Sequence, residues 1–146
     1  MTRPQIFISY AGHEAFEASL LQYAVETLLA DLGVVAWTFQ RDQARSQKEI
    51  AASLRTQVRS SVATIFLVSP ATIDGGSTQW MELAYADAFG IPTFVILHHL
   101  AYADLLRNNE GVPPLLLSSQ CNAASDWRHI VADLRRLIHG EETHNG

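Results

Sequence analysis

The sequence predicts a doubly wound α/β domain that is built on a parallel β-sheet. Short β-rich runs alternate five times with segments of helical periodicity, which is the pattern of repeated strand-helix-strand units. The third run, at 62–68, is nearly all apolar, as in a strand that is buried on both faces in the middle of a parallel sheet. With 146 residues and 48% hydrophobic content, the chain can build one domain with a substantial core.

The first strand is predicted at Gln5–Ser9, where β-favouring residues run together. A helix follows from Glu14 to Leu32, because its apolar residues recur with the period of an α-helix. These residues are Leu20, Leu21, Ala24, Val25, Leu28, Leu29 and Leu32. Gly33 is expected to end this helix, because glycine readily takes the left-handed conformation of a helix cap.

The second strand is predicted at Val34–Phe39, and the polar segment 40–45 is predicted to be a loop. Ser46–Glu49 matches the Ser-x-x-Glu capping box that starts many helices. Apolar residues at spacings of four then predict the second helix. They are Ile50, Leu54 and Val58.

In the second half of the chain, a loop from Ala71 to Gly76 leads to a third helix that begins at Ser77 and closes at Gly90. The remaining elements are a fourth strand at Ile91–Leu97, a short helix at Tyr102–Asn108, a weak fifth strand at Val112–Leu117 and a last helix. Ser125 caps that last helix, which turns Ile130, Leu134, Leu137 and Ile138 inward and ends at Gly140. We therefore expect one domain at 1–140 and a flexible tail at 141–146 that links to a further domain.

This order of elements fits a flavodoxin-like, five-stranded sheet of order 2-1-3-4-5 with helices on both faces. Its ligand crevice lies at the carboxyl ends of strands one and three. Ser9–His13 follows strand one, and the segment after strand three delivers the helix that carries Glu82. Almost every other residue of that helix is apolar or small, and a carboxylate in such surroundings is unfavourable unless something uses it. The alternative is an acid that complements the dipole at the start of the helix.

Composition excludes several other classes of function. A net charge of -5 argues against nucleic-acid binding, and no apolar run approaches the length of a membrane span. A single cysteine, Cys121, excludes an internal disulfide and a multi-cysteine zinc site, so we expect a cytoplasmic protein. Neither a phosphate-binding glycine motif nor a nucleophile elbow is present. We expect no cofactor and no metal, since His98–His99 lacks companion ligands.

Four segments in the right order resemble Toll/interleukin-1 receptor (TIR) domains over about residues 5–140. Ile6–Ala11 resembles their F-I-S-Y opening, Leu32–Trp37 their second strand, and Val62–Pro70 the third strand with its terminal Ser-Pro. The fourth segment is similar to the pattern S-x-W-x-x-x-E-L-x-x-A-x-x-x-G-x-P. Its matching residues are Trp80, Glu82, Leu83, Ala86, Gly90, Ile91 and Pro92.

The resemblance implies an enzyme that cleaves NAD⁺ at the nicotinamide–ribose bond, as many bacterial and plant TIR domains do. The catalytic glutamate of the family falls on Glu82. Trp80 precedes Glu82 by two positions instead of the family's four. The residues expected to contact the substrate are Tyr10, Ala11, Gly12, Trp37, Phe39, Ser69, Ser77 and Trp80. Among them the aromatic rings suit stacking on a base and the hydroxyls suit ribose or phosphate, although core and capping roles explain both equally well.

The resemblance also implies partners. TIR enzymes are switched on by self-association through the loop after the second strand, which contains Arg41, Asp42 and Arg45 but lacks the usual glycine. Other TIR domains and a sensor domain or protein are therefore expected partners, in an effector of bacterial antiviral defence. The alternative is a signalling adaptor that only binds other TIR domains. Such adaptors commonly lack the glutamate that this chain keeps at Glu82.

A second family competes for the same helix. Asp74–Thr78 followed by Glu82–Ala86 resembles nucleoside 2-deoxyribosyltransferases, whose pattern is D-x-G-T-A-x-E-x-G-Y-A-x-A-x-G-x-P. Those enzymes also act on an N-glycosidic bond, with the glutamate as the nucleophile. The two resemblances agree on the bond and differ on the substrate, and the F-I-S-Y opening favours the TIR family.

Overall fold

A computed structural model describes residues 3–11, 14–38, 47–75, 77–107, 112–117 and 119–145. The strands are β1 (Gln5–Ser9), β2 (Val35–Thr38), β3 (Ala63–Val68), β4 (Thr93–Leu97) and β5 (Gln120–Ala123). The helices are α1 (Ala15–Leu28), α2 (Gln47–Arg59), α3 (Pro70–Gly75), α4 (Ser77–Ala88), α5 (Tyr102–Arg107), α6 (Pro114–Leu117) and α7 (Trp127–Asn145). All four strand pairs are parallel, and the sheet has the order β2-β1-β3-β4-β5. The predicted fold class and strand order are therefore confirmed.

The centre of the sheet is as apolar as the sequence predicts. Every residue of β3 is buried, because β1 and β4 flank it and helices cover both of its faces. One face carries Ile6, Ile8, Ile65 and Leu67 against α1 and α7. On the other face, Phe7 packs with α2 and α4, and Phe66 packs with α4, α5 and α6. The side chains of successive strand residues thus alternate between two separate core layers.

Glycine ends two elements through the left-handed conformation that the sequence predicts for one of them. Gly33 has a φ of 71° after a 3-10 turn at Ala30–Leu32, so the predicted helix to Leu32 divides into α1 and this turn. Gly90 has a φ of 68° after α4. Because residues with a Cβ rarely adopt this conformation, both positions favour glycine.

The predicted fifth strand at Val112–Leu117 is wrong. Pro114–Leu117 forms α6, and the edge strand is Gln120–Ala123. Proline has no N–H for a sheet ladder but suits the first position of a helix, which favours α6 at this point. The apolar residues of this run contribute to the core from a helix instead of a strand, since Leu116 is fully buried in the cluster around Phe66.

The segment after β3 was predicted to be a loop from Ala71 to Gly76, but it contains α3. Ser69 precedes this helix, and its backbone N–H donates to Oγ1 of Thr72 at 3.1 Å. Proline follows as the first helical residue, at position 70. This is half of a capping box combined with proline at the first helical position, and together they explain the start of the helix.

The last helix begins and ends elsewhere than predicted. Ser125 lies inside a 3-10 turn at Ala124–Asp126, and α7 continues through Gly140 to Asn145. A glycine in a helix interior costs only about 1 kcal/mol relative to alanine, so it need not end the helix. Ile130, Leu134 and Ile138 are buried as predicted, and Leu137 packs partly against the same cluster. The domain boundary placed at residue 140 stays a prediction.

The other boundaries agree with the predictions within one or two residues. β2, β3 and β4 each begin one or two residues later than predicted. The predicted start of the second helix at Ser46 lies outside the described residues.

Candidate active site

Glu82 lies in the second turn of α4, and its side chain is 0% exposed. The first turn of α4 contains no acidic residue. An acid that merely complements the helix dipole is expected in that first turn and in contact with solvent. The position and the burial of Glu82 therefore argue against the dipole interpretation.

Two buried neighbours on α4 fix where Glu82 lies against the sheet. One turn before it, Gln79 is fully buried, and its Nε2 donates to the backbone carbonyl of Leu67 at 3.1 Å. One turn after it, Ala86 belongs to the core cluster of Phe7. Since residues three and four apart share one face of a helix, Glu82 faces the sheet between the carboxyl end of β3 and the centre of β1.

Ser9 is a buried polar residue that the sequence interpretation passed over. It lies two residues beyond Phe7, on the same face of β1, and is 1% exposed. Two strand residues advance about 6.6 Å, and the four helix residues from Ala86 back to Glu82 advance about 6 Å. Because the helix of a strand-helix-strand unit runs against the strand direction, we infer that Ser9 and Glu82 lie at about the same level, above the core cluster that contains Phe7 and Ala86.

Trp37 lies on the same face as Glu82. It pairs with Phe7 in the β1–β2 ladder, and the two rings stack with centroids 5.2 Å apart at an interplanar angle of 22°. Trp37 remains half-buried, so part of its ring system is accessible. Phe39, its predicted companion, lies outside the described residues.

The structure does not bring Tyr10 to this face, and Ala11 is a small buried residue just beyond the end of β1. Tyr10 is also buried, and it belongs to the core cluster between the sheet, α1 and α7. The alternation of side chains explains the difference, because Tyr10 follows Ile6 and Ile8 whereas Ser9 follows Phe7. The same periodicity, applied to the end of the first strand, identifies Ser9 from sequence alone. Gly12 lies outside the described residues.

Ser69 links the end of β3 to the start of α1. Its hydroxyl donates to the carboxylate of Glu14, and Ser69 itself is 1% exposed. The backbone N–H of Glu14 in turn donates to the carbonyl of Ala11 at 2.8 Å. Glu14 is a second carboxylate at the predicted switch point. The sequence analysis identified it only as the first residue of a predicted helix.

The remaining predicted contacts fall in three places. Ser77 is the first residue of α4. Trp80 is half-buried and packs on the cluster of Phe66 and Leu83, toward α5 and α6. The predicted assembly residues Arg41, Asp42 and Arg45 lie outside the described residues.

A cavity of about 350 Å³ opens on the opposite face of the sheet from Glu82. It lies between α1, the ends of β3 and β4 and the start of α7. Most of its lining is apolar, with Trp127, His98 and Glu17 as the aromatic and polar members. The buried polar side chains on the Glu82 face are the stronger indication of chemistry, because burial of such groups is unfavourable without a partner.

The described residues contain no group of three His, Cys, Asp or Glu side chains that is arranged to hold a metal ion. Within the same ranges, no helix combines the length and the apolar character that crossing a membrane requires.

Similarity to known proteins is structural. No family model and no curated protein sequence matches this chain. A conserved protein from Enterococcus faecalis V583 superposes with a TM-score of 0.61 at 17% identity, covering 96% of this chain and 99% of that one. The TIR domains of the activated Roq1 resistosome that directly recognises the pathogen effector XopQ give a TM-score of 0.56 at 12% identity, covering 89% and 98%.

The third structure is a 2-desoxiribosyltransferase from Leishmania mexicana, with a TM-score of 0.51 at 20% identity. The match covers 64% of each chain, so this chain spans less than two thirds of that protein's length. Likenesses at such identities show a common fold. The chain therefore shares its architecture with a TIR-domain structure and with a deoxyribosyltransferase structure.

Proposed function

We propose that this protein is an NAD⁺ nucleosidase of the TIR type, which cleaves the bond between nicotinamide and ribose. The observation that carries the proposal is the complete burial of Glu82 on the sheet-facing side of α4. A buried carboxylate is uncommon in a structural role, and buried ionisable groups near the ligand edge of a sheet mark functional sites. The resemblance of the segment around Glu82 to the TIR glutamate motif supports the same assignment.

One carboxylate is sufficient for this reaction. Glycosidases that expel an alkoxide need a second group to protonate the leaving oxygen. Nicotinamide in NAD⁺ is a cationic pyridinium, so the electron pair of the breaking C–N bond neutralises it and no proton is required. Water then bonds to the ribose carbon and releases a proton, which gives ADP-ribose. Attack by an adenine nitrogen in place of water gives a cyclic product.

Glu82 acts in this scheme as a fixed anion beside the ribose. Positive charge grows on the sugar as the C–N bond lengthens, and a preorganised anion in a dry site stabilises that charge more than water does. Trp37 offers a partly accessible aromatic face on the same side of the sheet, which suits the nicotinamide or adenine ring.

Burial of Glu82 also supports control by self-association. In the single chain this carboxylate has no exposure to solvent, so a rearrangement has to open a path before substrate reaches it. Assembly through the loop with Arg41, Asp42 and Arg45 would supply that rearrangement. We accordingly propose other TIR domains as partners, a sensor domain or protein as the source of the trigger, and a cytoplasmic role in bacterial antiviral defence.

A nucleoside 2-deoxyribosyltransferase is the second candidate, favoured by the likeness to the Leishmania mexicana structure. In that reaction Glu82 would attack the sugar carbon as a nucleophile and hold the deoxyribosyl group until a second base displaces it. Most nucleobases leave as anions and need a proton, unlike nicotinamide. The two candidates therefore make opposite predictions for NAD⁺ and for deoxynucleosides.

The test is nicotinamide release from NAD⁺, measured chromatographically with and without forced oligomerisation of the chain. We expect release by assembled wild type, and none by Glu82→Gln. Asp87→Asn is the matched control, because it removes the same charge from the exposed side of the same helix and should leave release intact. Inactivity of the assembled wild type would identify a non-catalytic adaptor. Turnover of deoxynucleosides without turnover of NAD⁺ would identify the transferase.

A further inference from the structure

Two buried polar atoms near Glu82 have no hydrogen-bond partner within the part of the chain that the structure describes. They are Oγ of Ser9 and Oε1 of Gln79, on residues that are 1% and 0% exposed. Buried polar atoms are nearly always satisfied in folded proteins, and an unsatisfied one is unfavourable. Two such atoms on one face of the sheet require an explanation.

These two atoms belong to one small region. Ser9 pairs with Phe66 in the β1–β3 ladder, and the side-chain amide of Gln79 is bonded to the carbonyl of Leu67, the next residue of β3. Adjacent strands lie about 4.8 Å apart and successive strand residues about 3.3 Å apart. The Gln79 amide and the Ser9 hydroxyl therefore lie in the same region, where β1 and β3 end on the Glu82 side of the sheet, without a hydrogen bond to each other.

Their chemistry restricts the ligand. Nε2 of Gln79 already donates to a backbone carbonyl, which fixes the orientation of the side-chain amide. Oε1 is therefore the free acceptor of this amide, and a ligand that binds it has to supply a donor. The Ser9 hydroxyl can both donate and accept. A pair of neighbouring hydroxyls on a ligand satisfies both, because each hydroxyl is itself a donor and an acceptor. An apolar ligand satisfies neither.

We infer that Ser9 and Gln79 recognise the vicinal 2′- and 3′-hydroxyls of a ribose, and thereby exclude 2′-deoxyribose. This inference rests on the proposed function and names the sugar class that the same site accepts. A site that hydrogen-bonds a substrate hydroxyl rejects the analogue that lacks it, because its own buried polar group then stays unsatisfied. The site thus selects a ribonucleotide such as NAD⁺ over a deoxynucleoside.

Ser9→Ala isolates the contribution of one hydroxyl. In the free protein it removes a buried atom without a partner among the described residues, so the melting temperature should stay unchanged or rise. Ser61→Ala is the matched control. Ser61 is also buried, but its hydroxyl donates to the carbonyl of Gln57 at 2.7 Å and accepts from Nε2 of Gln5 at 3.0 Å. Ser61→Ala should therefore lower the melting temperature and leave sugar selection unchanged.

The experiment compares the affinity for NAD⁺ with the affinity for NAD⁺ that lacks the 2′-hydroxyl of the nicotinamide ribose. Calorimetry on the assembled full chain carrying Glu82→Gln measures binding without turnover. We expect a preference for the ribose form of up to about 100-fold, which is the cost of leaving one buried polar group unsatisfied. Ser9→Ala added to this background should reduce the preference to about tenfold or less, and Ser9→Thr, which keeps a hydroxyl, should restore it.

Equal affinity for the two sugars would overturn the inference, as would a Ser9→Ala variant that melts like Ser61→Ala and keeps the ribose preference. Turnover of NAD⁺ by wild type is measured in parallel and tests the proposed function separately. If the chain prefers the ribose form but does not turn over NAD⁺, the inference about the sugar stands and the proposed nucleosidase activity is contradicted. If wild type turns over NAD⁺ but Ser9→Ala leaves the ribose preference unchanged, the proposed function stands and the inference about Ser9 is contradicted.

Discussion

Nε2 of Gln79 donates to the backbone carbonyl of Leu67 at 3.1 Å, which ties the first turn of α4 to the carboxyl end of β3. Both partners are buried. Glu82 follows one turn later on the same side of the helix, so this hydrogen bond sets the height and the rotation at which the carboxylate meets the sheet. Gln79 is thus a positioning residue for Glu82 as well as a candidate ligand for the sugar.

Replacing Gln79 with methionine removes this hydrogen bond at nearly constant volume. We expect a loss of about 1 kcal/mol in the free energy of unfolding, because the lost bond is partly offset by removal of the unpartnered Oε1. Urea denaturation measures this loss of unfolding free energy. Gln22→Met is the matched control, since Nε2 of Gln22 donates to the carbonyl of Ala36 at 3.0 Å in a half-buried position. Both variants should lose stability, and only Gln79→Met should lose NAD⁺ turnover. Equal turnover in the two would contradict a positioning role.

Shortening Glu82 by one methylene separates the charge of this residue from its position. Glu82→Asp keeps the carboxylate but withdraws it by about 1.5 Å from the sugar. A misplacement of about 1 Å costs on the order of 100-fold in rate, so we expect kcat to fall by about that factor with KM little changed. Steady-state assay of nicotinamide release by the assembled chain provides both constants. A Glu82→Asp variant with wild-type kcat would show that the rate does not depend on the exact position of the carboxylate beside the ribose.

Two glycines should respond to alanine with opposite signs. Gly90 has a φ of 68°, and no heavy atom lies within 4 Å of the point where a Cβ would be placed. The cost of Gly90→Ala is therefore purely conformational, about 1 to 2 kcal/mol of unfolding free energy. Gly140 lies inside α7 with equal free space, so Gly140→Ala should add about 0.5 to 1 kcal/mol. Thermal unfolding distinguishes the two, and destabilisation by Gly140→Ala would contradict the continuous helix.

Local signals explain why so much of the fold is predictable. The apolar character of β3 and the left-handed cap at Gly33 depend on a few consecutive residues. The parallel direction of the strands then follows from the alternation of elements, because each helix returns the chain to the end of the sheet at which the previous strand began. The order 2-1-3-4-5 was predicted by analogy with flavodoxin-like folds. Glu82 was identified by its apolar surroundings along a single helix.

The features that the sequence did not predict depend on contacts between distant segments. Edge strand β5 is largely polar, and among the described strands its partner is β4, so no hydrophobic pattern marks it. The apolar run before it forms α6 because Leu116 packs against the cluster of Phe66. In the site, the burial of Gln79 depends on its hydrogen bond to Leu67, a residue of another element, so the sequence alone does not distinguish it from a surface glutamine. Ser9 was the exception, since strand alternation alone separates it from Tyr10.

Cys121 should react slowly with alkylating agents. It lies half-buried on β5, and this burial raises the pKa of its thiol above the ordinary value. Because the thiolate is the reactive form, a raised pKa leaves less of it at a given pH. We expect iodoacetamide to modify the native protein at about pH 8 at least about tenfold more slowly than the chain unfolded in guanidinium. Mass spectrometry measures both rates, and equal rates would place the thiol in open solvent.

The ion pair between Asp31 and Arg135 should stabilise the packing of α7 on α1 in a pH-dependent way. Nη1 and Nη2 of Arg135 donate to the two carboxylate oxygens at 2.6 and 2.9 Å, and Nη2 also donates to the carbonyl of Leu28 at 2.8 Å. The hydrogen bonds from Arg135 lower the pKa of Asp31 below its ordinary value, with a further contribution from the guanidinium charge. A carboxyl whose pKa is lower in the folded state stabilises that state above the unfolded pKa, and this stabilisation is lost as the pH falls through the folded pKa.

Asp31→Asn should therefore lower the melting temperature slightly at neutral pH, and the difference from wild type should vanish in acid, once Asp31 is protonated in the folded state as well. The effect is small because both side chains are exposed, and added salt should reduce it further. Arg135→Gln should lower the melting temperature more, because it also removes the bond to Leu28. The double variant should melt like Arg135→Gln alone, since the two changes remove one shared interaction. An additive double variant, or a difference that persists in acid, would show that Asp31 acts through something other than this pair.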